Sequence, residues 1–290
     1  MAAVFGISRV LSRAKVICPE KEIRTLLTFG HLRRCMSSLV NVEKQGSIAI
    51  LELNRKPVNS FSMEFLQEIN SNLNELENDQ DCQGLIITSG LPKVFSAGLD
   101  LVKEVYQPDV KRLASFWSCF QEMWLRLYGS RLATMAAING HALAGGCVVG
   151  LACDYRVMAE EFRIGMIEIE AGLPPPFWVA GNMANVVGQS NAEQAILSNQ
   201  RYSAEEALSI GLVDKVLPKD KVMEETKSEM EKWVMYSGRA RELTKKIMRK
   251  QFIEALEDTR EEDIKNFVDC ILDEDVQKAI GMQIEKLSKK

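Results

Sequence analysis

The sequence predicts an α/β fold whose C-terminal part is helical. Three observations carry this. Residues 47–89 read as strand, helix and strand with short links, which is a crossover unit. Further short apolar strands follow, separated by helices and glycine-containing turns. Beyond residue 203 the pattern becomes almost entirely helical.

In order, residues 47–53 (SIAILEL) alternate as a strand does, and the region of Lys56 and Pro57 ends it. A helix is expected after Ser60 or Ser62, because Leu66, Ile69, Leu73 and Leu76 share one face. Residues 84–89 (GLIITS) are a short buried strand, and 94–101 (VFSAGLDL) a glycine-containing loop. A long helix is expected over about 110–128, with Leu113, Trp117, Phe120 and Trp124 on one face. Residues 136–138 form the next strand, and the loop 139–146 (NGHALAGG) opens a helix of small residues. Strands follow at 154–158 and 162–164. Ser203-Ala204-Glu205-Glu206 is a capping box that starts a helix ending near Gly211. One amphipathic tail helix is expected over about 261–287.

Composition narrows the function. With 290 residues and 46% hydrophobic content, the chain can bury a large core. No apolar run is long enough to cross a bilayer. Residues 1–36 carry seven basic and two acidic residues, leaving 29 basic against 38 acidic in the rest. The basic, acid-poor start, with Val4, Phe5, Ile7, Val10 and Leu11 able to share a helical face, reads as a mitochondrial transit peptide over 1–36. The acidic remainder argues against a nucleic-acid partner. The seven cysteines form no C-x-x-C, and the two histidines are His31 and His141, so no Cys/His metal site is expected. Scattered cysteines suit a reducing compartment such as the mitochondrial matrix. The basic pairs Lys245-Lys246 and Arg249-Lys250 read as a solvated face, and Trp117, Phe120 and Trp124 as core.

Three segments carry candidate chemistry. Gly145 and Gly146 stand where a loop becomes a helix, where free N–H groups point outward and no Cβ obstructs approach. For a lone Gly-Gly, close helix packing is the preferred explanation. A second glycine turn at 96–100 supports an oxyanion hole built from two N–H groups. Glu168 lies among Ile164, Met166, Ile167, Ile169 and Leu173, where burial would raise its pKa and suit a proton-transferring base. Glu170 is its rival two residues on.

The segments F-S-A-G-L-D (95–100), A-x-N-G-x-x-x-A-G-G-C (137–147) and C-D-Y-R (153–156) together resemble the crotonase, or enoyl-CoA hydratase/isomerase, superfamily over about residues 40–290. The blocks NRKPVNSFSMEFL (54–66), MWLRLY (123–128) and PFW (176–178) are similar to its enoyl-CoA isomerase branch. The resemblance implies a spiral of strand-strand-helix units over 37–235, with a helical trimerisation region over 236–290. It implies an oxyanion hole from the N–H groups of Leu99 and Gly145. A substrate site would be formed by Ala97, Gly98, Leu99, Asp100, Leu101, Gly145 and Ile167. Glu168 falls at the isomerases' single catalytic glutamate, and Val148 stands where hydratases carry a second carboxylate. The implied activity moves the double bond of a 3-enoyl-CoA to give (2E)-enoyl-CoA. CoA would enter as part of the substrate, with no separate cofactor and no metal. An enoyl-CoA hydratase or other crotonase acyl-CoA enzyme, such as a thioesterase, and a non-catalytic acyl-CoA-binding protein are the alternatives. Two positions depart from the isomerase pattern: Ile167, where an asparagine is usual, and the run Pro174-Pro175-Pro176.

Overall fold

The computed structural model describes residues 38–289, so the leader expected over 1–36 lies outside the described residues. The described part begins with a hairpin of β1 (Val40–Gln45) and β2 (Ile48–Leu53), turning at Gly46. Five of the six β1 positions are exposed, so this strand has no apolar alternation to announce it. Helix α1 (Met63–Asn78) starts at Ser62, whose hydroxyl accepts the Phe65 N–H, and it buries Leu66, Ile69, Leu73 and Leu76 as expected. Strand β3 (Gly84–Ser89) is buried at all six positions, as a parallel strand covered on both faces should be.

From β3 onward one unit recurs: a long strand, a three-residue strand and a helix. The first unit is β3, β4 (Val94–Ser96) and α2 (Val110–Gly129). The second is β5 (Ala133–Ile138), β6 (His141–Leu143) and α3 (Gly145–Ala152). The third is β7 (Tyr155–Ala159), β8 (Arg163–Gly165) and α4 (Phe177–Val187). There follow α5 (Gln189–Leu197), β9 (Tyr202–Ser203), α6 (Ala204–Ser209), β10 (Lys215–Leu217), α7 (Lys219–Val234), α8 (Gly238–Leu272) and α9 (Glu274–Ser288). The long strands make one sheet in the order β1-β2-β3-β5-β7-β10, and the short ones a second, β4-β6-β8-β9. This is the spiral of strand-strand-helix turns with a helical C-terminal part.

Several expectations need correction. The loops expected at 94–101 and 139–146 contain β4 and β6, which pair in parallel with each other. Three-residue strands are too short to show a period of two. The capping box at Ser203 forms, and α6 ends before Gly211 at φ +76°. The tail is two helices rather than one. The chain breaks at Asp273, whose carboxylate accepts the N–H groups of Asp275 and Val276 and so caps α9. Nor is the basic cluster at 245–250 simply a solvated face. Lys246 and Lys250 are exposed, but Lys245 is buried, its Nζ 2.9 Å from Leu132 O and 3.0 Å from Asp154. Arg249 reaches the same carboxylate at 2.8 Å, so the pair ties α8 to the sheet. Among the described residues, no helix is long and apolar enough to cross a membrane.

Candidate active site

The two glycine turns meet. The first follows β4. Asn59, fully buried at φ +49°, donates to Leu53 O, Ser89 Oγ and Phe95 O, and its own carbonyl accepts the Ser96 hydroxyl. That knot holds residues 96–100 against β2 and β3. Gly98 adopts φ +89°, and a Cβ there would stand 2.7 Å from Ala144 Cβ and 2.9 Å from Gly145 N. Only glycine lets the turns approach this closely. The second turn has Ala144 at φ +49°, a strained value for alanine, directly before the first residue of α3.

Gly145 and Gly146 divide the two readings between them. A Cβ on Gly146 would lie 2.4 Å from Ser96 O, so this glycine serves close packing. Gly145 faces Gly98 and the Phe61 ring and lines a cavity of about 780 Å³. Leu99, Leu101, Val148, Ile167 and Glu168 line the same cavity. No carbonyl among the described residues engages the N–H of Leu99 or of Gly145. Both are free donors beside the positive end of α3.

Glu168 opens a four-residue 3₁₀ turn (Glu168–Ala171) that ends in Gly172 at φ +74°. Burial pushes its pKa up to about 7, opposed only by a backbone hydrogen bond. Glu170 is in a different situation. Arg201 lies 2.5 Å from its carboxylate, Gln283 donates to it at 3.0 Å, and Lys286 is 3.5 Å away. Burial alone would raise its pKa, but the Arg201 and Lys286 charges and the hydrogen bonds outweigh it and hold the carboxyl below its ordinary value. Asp100 also lines the cavity and is likewise committed: Arg55 sits 2.6 Å away, and the Lys103 N–H is capped at 3.1 Å. Of the three carboxylates lining the cavity, Glu168 is therefore the one without a cationic partner among the described residues.

The remaining expected residues fall into place in part. Ala97 lines the cavity, whereas Gly98 supports the wall from behind. Trp117 and Phe120 are core residues and cavity wall at once. Pro174 and Pro176 border it as well. The sequence reading missed the wall supplied by Phe267 of α8 and by Gln283, Ile284, Lys286 and Leu287 of α9. The amphipathic pattern of the tail showed a face needing cover, but not what it covers. No group of three or more metal-ligating side chains occurs among the described residues.

The model of the family described as Enoyl-CoA hydratase/isomerase matches residues 43–290. The chain belongs to this family. Its rat relative, Enoyl-CoA delta isomerase 1, mitochondrial, is 43% identical over 89% of this chain and 90% of its own length. The human protein of that name is 40% identical over 99% and 97%. A short-chain-enoyl-CoA hydratase of Clostridium acetobutylicum is 30% identical over 85% of this chain and 95% of its own. The crystal structure of human mitochondrial delta3-delta2-enoyl-CoA isomerase superposes with a TM-score of 0.85 at 39% identity, covering 87% of this chain and 99% of the other. The family match spans the whole site, from the Gly98 turn to α9.

Proposed function

We propose that the chain is a mitochondrial enoyl-CoA isomerase that converts 3-enoyl-CoA to (2E)-enoyl-CoA in the β-oxidation of unsaturated fatty acids. The observation that carries the reading is Glu168, the one cavity-lining carboxylate without a cationic partner among the described residues, its pKa raised by burial to about 7. Such a group can take a proton and hold it long enough to return it.

In this reading Glu168 removes a proton from C2 of the substrate. Electron density moves onto the thioester oxygen, which the N–H groups of Leu99 and Gly145 stabilise as it becomes enolate-like. The resulting Glu168 acid delivers the same proton to C4, and the double bond forms between C2 and C3. Ala97, Gly98, Asp100, Leu101 and Ile167 shape the acyl-CoA site, with Gly98 acting through the wall it supports. CoA arrives with the substrate, and no separate cofactor is needed for a proton shift.

A hydratase needs a second carboxylate to activate water. Val148 lies in the position where the resemblance puts that group, and it is 2% exposed and apolar. The 40–43% identity to proteins named as isomerases, against 30% to one named as a hydratase, supports the same choice. The deciding experiment supplies purified protein with a 3-enoyl-CoA and, separately, a (2E)-enoyl-CoA. Formation of (2E)-enoyl-CoA from the first, with little hydration of the second, is expected; hydration as the faster reaction would reverse the assignment. The relatives' mitochondrial names support a mitochondrial location, and the basic leader supports entry into the matrix. A reporter fused to residues 1–45 should reach the matrix; a cytosolic signal would overturn this part.

A further inference from the structure

We propose that the stacked rings of Trp117 and Phe267 form the end stop of the acyl channel and set the longest acyl chain that the site accepts. This rests on the reading of the cavity as an enoyl-CoA site. The cavity wall divides into two bonded sets. Glu170, Arg201, Gln283 and Lys286 make a charged set, joined by the contacts described above. Trp117, Phe120 and Phe267 make an aromatic set, with Trp117 stacked 5.3 Å from Phe120 and 3.7 Å from Phe267. A CoA thioester has the same division, with a polar nucleotide end and an apolar tail. The tail belongs with the aromatic set, because burying methylenes against charged groups would desolvate them without compensation.

The stop is rigid on one side and replaceable on the other. The Trp117 and Phe267 rings lie within 6° of parallel. The Trp117 Nε1–H donates to Asp263 Oδ2 at 2.7 Å, and Gln121 donates to the same oxygen at 2.7 Å. Asp263 and Phe267 are four residues apart on α8, so one helix face both anchors the indole and covers it. Trp117 is 3% exposed and cannot swing aside without losing that bond. Phe267 is only half-buried and carries no polar anchor, so it is the member of the pair whose size can change without breaking a hydrogen bond. Changing Phe267 leaves the proposed groups of Glu168, Leu99 and Gly145, which stand on other elements, as they are in sequence.

The test compares kcat/KM for 3-hexenoyl-CoA and 3-dodecenoyl-CoA in the wild type and in Phe267→Ala, Phe267→Leu and Phe267→Trp. One methylene more or less in an apolar pocket changes discrimination by roughly 10- to 200-fold. Phe267→Ala should raise the long-to-short ratio by at least ~10-fold, mainly through KM. Phe267→Leu should move it less in the same direction, and Phe267→Trp should lower it. The leucine variant keeps apolar packing and carries the test if the alanine variant fails to fold. A ratio that stays put in a folded variant, while the wild type isomerises both substrates, overturns the end stop alone. A wild type that isomerises neither substrate overturns the enoyl-CoA reading beneath it.

Discussion

Glu168 and Glu170 stand two residues apart on one turn, yet their surroundings push them in opposite directions. Glu168→Gln keeps size and cannot accept a proton, so turnover of a 3-enoyl-CoA should fall by ~100- to 10,000-fold while CoA-product binding persists. In the wild type, kcat/KM should rise with pH through about 7, as the carboxylate forms. The stability effect has a definite sign. A folded-state pKa of about 7 against 4.5 leaves stability intact below pH 4.5 and removes it as pH rises through about 7. The ionised group then costs on the order of 3 kcal/mol. Glu168→Gln should therefore unfold at higher denaturant than wild type at pH 9 and match it at pH 4; equal midpoints at both would place the carboxylate in water. Glu170→Gln should retain most turnover, because the base remains. It is not a silent control, since it loosens Arg201, Gln283 and Lys286 together. The glycines separate in the same way. Gly145→Val places a side chain against Phe61 and Gly98 at the donor itself, and losing one oxyanion donor typically costs ~100- to 1,000-fold in turnover. Leu99→Ala keeps its N–H and should be milder. Near-normal turnover in folded Gly145→Val would displace the proposed hole.

Elements position these residues through few, identifiable joints. Helix α9 packs against both the Glu168 turn and the π-helical turn Leu101–Val105 that follows the Gly98 turn. Its Gln277 donates to Val105 O at 3.0 Å and accepts the Gln107 N–H at 2.9 Å. The joint between α8 and the sheet is ionic: Asp154 holds Lys245 and Arg249 in a largely buried setting. Removing Asp154 would leave two cations without their carboxylate. Breaking a buried pair this way costs about 3–5 kcal/mol. Asp154→Ala should lower stability on that scale in denaturant unfolding while leaving Glu168 and both donors in place. A loss of less than ~1 kcal/mol would mean that the cluster is solvated as a surface pair is.

At the scale of the molecule, the described chain leaves apolar side chains uncovered. Met235 is 76% exposed, Tyr236 73%, Ile247 78% and Met248 77%. Such exposed apolar side chains near the start of the C-terminal region support an association surface, and we propose that it serves the trimer of identical chains that the family resemblance implies. Light scattering of the mature protein should give about three times the chain mass, and Ile247→Glu should shift it toward one. A wild type that scatters as a single chain would remove the trimer without touching the chemistry of the site.

The sequence by itself determined the elements whose signal is local. The α1 face, the buried β3 run, the α2 face and the capping box at Ser203 each announce themselves within a few residues, because period, burial and capping are short-range properties. It also placed Glu168, Leu99 and Gly145, through glycine turns and an apolar setting that resemble a known family. It could not expose β1, β4 or β6, which are too exposed or too short to carry a period. Tertiary structure alone decided that Gly145 faces the cavity while Gly146 packs on Ser96, since both are identical glycines until Phe61, Gly98 and Ser96 arrive from elsewhere. It likewise decided which glutamate is paired: Arg201 and α9 come to Glu170 from 31 or more residues away, while Glu168 has no cationic partner among the described residues. Charge pairing, cavity walls and the burial that tunes a pKa are sums over neighbours distant in the chain, and only folding brings those neighbours together.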